Sequence, residues 1–67
     1  MLIKVFDIWI VPELVMKCED KNFFFDDKPG NCAVLTLCNL NGSTTEINYY
    51  GYNAEIVSNE INKKLKE

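Results

Sequence analysis

Cys18, Cys32 and Cys38 carry the most reactive side-chain chemistry in this sequence. A thiol acts as nucleophile or metal ligand only as thiolate, which calls for a cation or base beside it. Nothing basic flanks Cys32 or Cys38. On a single strand these two lie roughly 20 Å apart at ~3.3 Å per residue, too far for a disulfide. Cys18 shares a face with Leu14 and Met16, so all three thiols are expected to pack as small hydrophobes. An odd set of cysteines without a CxxC pair also fits free thiols in a reducing cytoplasm.

Glu19, Asp20, Asp26 and Asp27 form a second chemical cluster. Carboxylate oxygens suit Ca²⁺ or Mg²⁺, but the alternating spacing, central glycine and terminal glutamate of an EF-hand loop are missing. The expectation is a solvated loop and no metal site. Carboxylate pairs also serve glycoside chemistry, yet 67 residues leave little room for a pocket of ~300 Å³. No glycine-rich phosphate loop or nucleophile elbow occurs. We therefore assign no catalytic residue and no cofactor, and expect a protein that is not an enzyme.

Phe23, Phe24 and Phe25, with Tyr49, Tyr50 and Tyr52, have the residue types of a base-stacking platform. Such platforms sit in positive grooves, whereas four carboxylates bracket this triple Phe. Core or interface packing is the better expectation, since Phe and Tyr anchor protein interfaces. The missing His and Arg remove imidazole catalysis, Cys/His zinc fingers and guanidinium readout of guanine or phosphate. A net charge of -3 opposes nucleic acid and anionic membrane alike. Abundant Asn and Lys without Arg point to AT-rich coding DNA, as in low-GC bacteria and their phages or plasmids.

These groups must be held by one small domain spanning residues 1–67. Apolar burial of about 60% of the buried area at ~25 cal/mol/Å² comes to ~100 kcal/mol, close to the ordering cost of ~1.5 kcal/mol per residue. A lone monomer is marginal on that comparison. The run from Val5 to Met16 resembles a signal-peptide core, but Asp7, Pro12 and Glu13 interrupt it, so export is not expected. No stretch reaches the ~18 apolar residues of a membrane span.

Leu2 to Val11 is strand-like with apolar residues in both alternating sets, and Asp7 marks a bend or tight turn between two short strands. Pro12 ends this segment. Leu14 to Glu19 alternates as a half-buried strand. Asp20 to Asn31 reads as a loop with an apolar tip, or the flared end of a hairpin. Cys32 to Leu40 is the strongest strand, Asn41-Gly42 predicts a type I′ turn, and Thr44 to Tyr50 returns antiparallel. Asn53 is a helix N-cap, followed by a helix from Ala54 to about Lys66 whose apolar stripe is Ala54, Val57, Ile61 and Leu65. Glu60 and Lys64 are placed as an i,i+4 pair.

The expected fold is α+β: three to four antiparallel strands with one C-terminal helix packed on one sheet face. Such a helix covers a single face. The other face, carrying part of the Leu2 to Val11 set, is expected to be apolar and uncovered.

Ile10-Val11-Pro12-Glu13-Leu14-Val15, Val34-Leu35-Thr36-Leu37, the Asn41-Gly42 turn and a terminal helix with Glu55, Ile56, Val57 and Ile61 occur in order. This succession resembles the FlbD family of small flagellar proteins, in which a Pro-Glu-Leu-hydrophobic step precedes an Asn-Gly hairpin and a short helix. The resemblance spans most of the chain and implies the same architecture. The sequence departs from the family in lacking an Asn-Gly hairpin before Ile8 and in its Phe-rich insertion between Asp20 and Asn31, and no functional residue is carried over.

From the surplus of apolar surface, the expected function is a non-catalytic protein–protein interaction module, self-associating as a dimer or docking a protein partner. Its candidate contact residues are Ile3, Val5, Phe6, Ile8, Trp9, Ile10, Phe23, Phe24, Phe25 and Tyr50. The alternative is an acidic phage or mobile-element inhibitor that docks on a basic nucleic-acid-binding protein.

Overall fold

A computed structural model describes residues 1–67, with the side chain of Phe25 outside the described part. Among the described residues the chain forms β1 (Ile3–Val5), β2 (Ile8–Ile10), a 3-10 turn (Pro12–Leu14), β3 (Val15–Phe25), β4 (Lys28–Cys38), β5 (Thr44–Tyr50) and α1 (Ala54–Leu65). The fold is α+β, as expected. β4 is the centre of a three-stranded antiparallel sheet ordered β3-β4-β5, while β1 and β2 pair only with each other.

The Leu2–Val11 run does not add a strand to the main sheet. It folds back on itself at Phe6-Asp7, pairing Ile3 with Ile10 and Val5 with Ile8. Phe6 has a φ of 56°, the left-handed conformation that glycine normally supplies at the first turn position of a type II′ hairpin. A bulky residue there is strained, and the Phe6 ring offsets this by stacking on Tyr52 at 4.1 Å and meeting Tyr49 edge-on at 6.0 Å.

β3 and β4 are longer than expected. A register shift between Val15 and Lys17 leaves Met16 without a cross-strand partner and exposed, so the predicted common face of Leu14, Met16 and Cys18 does not form. Beyond it the two strands stay paired up to Phe25 opposite Lys28. Asp26 and Asp27 close this hairpin with φ of 51° and 62°, the signature of a type I′ turn. The predicted I′ turn at Asn41-Gly42 is a different structure, in which only Gly42 has positive φ, at 88°. The Gly42 N–H donates to the Asn39 carbonyl, and Asn41 Oδ1 accepts from the Ser43 N–H and hydroxyl, so the Asn41 side chain shapes the loop instead of its backbone.

α1 begins at Asn53, whose Oδ1 accepts from the Ile56 N–H at 2.8 Å. A carboxylate reaches the same helix end from the sheet: Asp20 Oδ1 accepts from the Ala54 N–H at 2.6 Å. Two of the four orphan donors of the first turn are thereby satisfied, one of them by β3. At the other end Lys64 approaches Glu67 at 3.9 Å in place of the predicted Glu60 partner.

Helix and β1–β2 hairpin together roof one face of the sheet. The core is Ile3, Val5 and Ile10 from the hairpin, Ala33 and Leu35 from β4, Tyr49 from β5 and Val57 from α1, with Ile47, Cys18 and Ile61 packed at its margin. Tyr49 is 4% exposed, and its hydroxyl has no hydrogen-bond partner among the described residues. Burial, with the neighbouring Cys18 thiol, pushes its pKa up to about 12. Because the folded value lies above the ordinary 10, the unfolded chain loses its proton first, and stability falls as pH rises from 10 to 12. Tyr49→Phe is expected to be neutral or stabilising by about 1 kcal/mol at pH 7, since it removes an unsatisfied buried hydroxyl, and to flatten the alkaline loss. Urea unfolding at pH 7 and across pH 10 to 12 measures both effects.

Candidate interaction surface

Three-stranded pairing ends where Cys32 meets Tyr50, yet β3 and β4 run on together for four more paired positions. The result is a two-stranded arm, Asn22–Phe25 against Lys28–Asn31, projecting roughly 13 Å beyond the sheet at ~3.3 Å per residue. It makes the molecule flat and long, 39 × 29 × 16 Å, with a radius of gyration of 12.5 Å against about 11 Å for a compact chain of this length.

The arm is apolar on both sides. On one side Phe24 stands opposite Pro29 and is 76% exposed. On the other, Phe23 lies across Gly30 and contacts Tyr50 edge-on at 5.3 Å. A Cβ on Gly30 would sit 2.7 Å from the Phe23 ring, so only glycine lets the ring lie flat on the strand. Phe23, Lys28, Pro29, Gly30 and Tyr50 line a shallow concavity of about 790 Å³ there. Gly30 was not among the residues singled out from sequence, because its role depends on a cross-strand register that composition does not reveal.

The remainder of this sheet face corrects the expectation of a broad uncovered apolar surface. Alternation places Lys17, Glu19 and Lys21 of β3 and Glu46 and Asn48 of β5 on it, flanking Cys32, Val34 and Thr36 of β4. Lys17 Nζ and Glu19 Oε1 pair at 2.6 Å, and this contact holds the ammonium pKa above its usual value. The long polar side chains cover the β4 strip, which is buried without any second layer.

The sequence-derived contact residues divide accordingly. Ile3, Val5 and Ile10 are buried in the core and present no contact surface, because the β1–β2 hairpin spends its inward face on the same side as the helix. Phe6 and Ile8 are half-buried against that core. Trp9 points outward opposite Lys4, near Leu2 and Lys64 at the C-terminal end of α1. Phe23 meets Tyr50 at the base of the arm, Phe24 stands on the arm's other side, and the Phe25 side chain lies outside the described part.

The polar clusters do not converge. Asp20 caps α1, Glu19 pairs with Lys17, and Asp26 and Asp27 occupy the distant arm tip. Among the described residues no three His, Cys, Asp or Glu side chains are grouped for a metal ion. Cys18 is half-buried, with burial as the main cause of its raised pKa, and Cys32 is buried on the opposite face. No helix among the described residues is long and apolar enough to cross a membrane. No protein-family model, curated protein or solved structure matches the chain.

Proposed function

We propose that the chain is a small non-catalytic interaction module that self-associates through its apolar arm. The observation that carries this is surplus surface. The chain exposes 4915 Å², where a compact monomer of its mass exposes about 4,300 Å². The difference of roughly 600 Å² is near what each partner contributes to a modest interface. The arm contributes to it, with Phe24 76% exposed on one face and Tyr50 62% exposed at its base on the other. Covering Phe24 in a second copy supplies burial that the single core lacks, and a homodimer is the simplest closed arrangement.

Light scattering coupled to size exclusion tests the proposal over a concentration series. The expected mass rises from 7.7 kDa toward twice that value with concentration. Phe24→Ser is expected to weaken the dimer at least tenfold, because an aromatic anchor leaves the interface centre. Its effect on folding is expected within about 0.5 kcal/mol, since the side chain is mostly in water in the monomer. A wild-type chain that stays at monomer mass throughout refutes self-association.

A further inference from the structure

Lys21 and Lys28 stand on the arm side that carries Phe23. Lys21 pairs with Cys32, Phe23 with Gly30 and Phe25 with Lys28, so alternation puts Lys21, Phe23, Lys28 and Gly30 on one face. Lys28 borders the concavity formed by Phe23 and Tyr50, and Lys21 borders the hollow on the other side of the same two rings. Both lysines are exposed, and neither is in an ion pair among the described residues. The four carboxylates that bracket the triple Phe in the sequence are drawn away from this face or tied down on it. Glu19 is held by Lys17, Asp20 caps α1 on the other sheet face, and Asp26 and Asp27 form the turn at the tip. Two cations around two rings remain, on a chain whose net charge is -3.

We propose that this face docks an extended acidic segment of a different protein, with the pattern acid-x-aromatic-x-acid. Lys21 and Lys28 lie four ladder positions apart along the arm, roughly 13 Å at ~3.3 Å per residue, with Phe23 and Gly30 midway. An extended peptide laid along the arm turns every second side chain toward it. Residues i, i+2 and i+4 then reach one lysine, the rings and the other lysine. The middle residue is aromatic because Phe23, Tyr50 and Pro29 wall the concavity, and contact between rings adds to plain burial. The outer residues are acidic because the ammonium groups steer and hold opposite charge. A second copy does not fit here. Its like face would gather four ammonium groups, and no two Asp or Glu residues of this chain lie four apart, which leaves the Phe24 side of the arm to self-association. A single-stranded nucleic acid fits less well, since the Phe23 and Tyr50 rings are inclined at 82° and offer no parallel faces to successive bases, and the net charge repels phosphates.

The test uses the full chain and fluorescein-labelled peptides followed by anisotropy. Asp-Ser-Phe-Ser-Asp is expected to bind at least about fivefold more tightly than Asn-Ser-Phe-Ser-Asn, from two exposed charge pairs, and to weaken with added salt. Ser-Asp-Phe-Asp-Ser, of equal charge but with its carboxylates turned to the other side, is expected to lose the same advantage. Tyr50→Ala is expected to weaken binding about tenfold by removing an aromatic anchor. Because a variant that folds poorly would bind every peptide worse, the deciding readout is a preference. Lys21→Glu combined with Lys28→Glu is expected to invert it, favouring Lys-Ser-Phe-Ser-Lys over Asp-Ser-Phe-Ser-Asp. Equal binding of the acidic and neutral peptides, no saturable binding up to about 1 mM, or tighter binding of labelled oligothymidylate overturns the proposal. None of these outcomes bears on self-association, which the mass measurement decides.

Discussion

Leu35→Ala is expected to leave the chain largely unfolded at 25 °C. Leu35 is the largest fully buried side chain, sitting mid-way along β4 between Cys18 and Ile47 with the helix and hairpin above it. Removing its methyl groups loses transfer free energy and leaves a cavity, at a cost of about 3–5 kcal/mol. A single core in a chain this short supplies only ~3–5 kcal/mol of net stability. One substitution therefore cancels it. Far-UV circular dichroism and amide chemical-shift dispersion read the outcome, and a dispersed, cooperative spectrum in the variant would show that the core has more reserve than this comparison allows.

The second large effect is expected at the N-terminus of α1, where caps arrive from two directions. Asn53 satisfies the Ile56 N–H from within the helix segment, and Asp20 satisfies the Ala54 N–H from β3. Loss of a capping side chain costs about 1 kcal/mol, and a bond to an ionised acceptor is stronger. Asp20→Ala is expected to destabilise by about 1–2 kcal/mol and Asn53→Ala by about 1 kcal/mol. The double variant tells whether the two act separately. Asp20 also ties the helix to the sheet, so its loss is expected to speed hydrogen exchange throughout the first helical turn, whereas loss of Asn53 affects chiefly the Ile56 amide. Equal exchange patterns in the two single variants would count against Asp20 as a tether.

Much of this architecture is readable from residue types. The helix is legible because a capping asparagine and an apolar stripe at helical spacing agree, and the antiparallel return of Thr44 to Tyr50 is legible because nothing interrupts the strand. In Leu2–Val11 the turn at Asp7 between two short strands is legible, but the faces of those strands are not. Alternation assigns faces only along an unbroken strand, and Phe6-Asp7 reverses the chain, so the inward residues Ile3, Val5 and Ile10 belong to the same core as the helix. Composition leaves the arm open between a loop and the flared end of a hairpin, since Asp, Lys, Pro and Gly between Asp20 and Asn31 suit both, and the structure has the hairpin. Asp26 and Asp27 take the left-handed turn conformation there, which lets both strands continue. Phe23, Phe24 and Tyr50 could be named from type alone. Gly30 as the seat of Phe23, and Asp20 as a helix cap, depend on long-range register that no local pattern encodes.

The placement of Trp9 decides which spectroscopy can follow this molecule. It is the only tryptophan, it lies 62% in water on the outside of the first hairpin, and the arm is at the opposite end of the helix. Its indole keeps an aqueous surrounding whether the chain is folded or not, so tryptophan emission is a poor witness to unfolding and blind to events at the arm. The packed rings of Phe6, Tyr49 and Tyr52 are the chromophores whose asymmetric surroundings vanish on melting. Near-ultraviolet dichroism from tyrosine follows the interior, and Trp9 stays free to signal whatever approaches the other end.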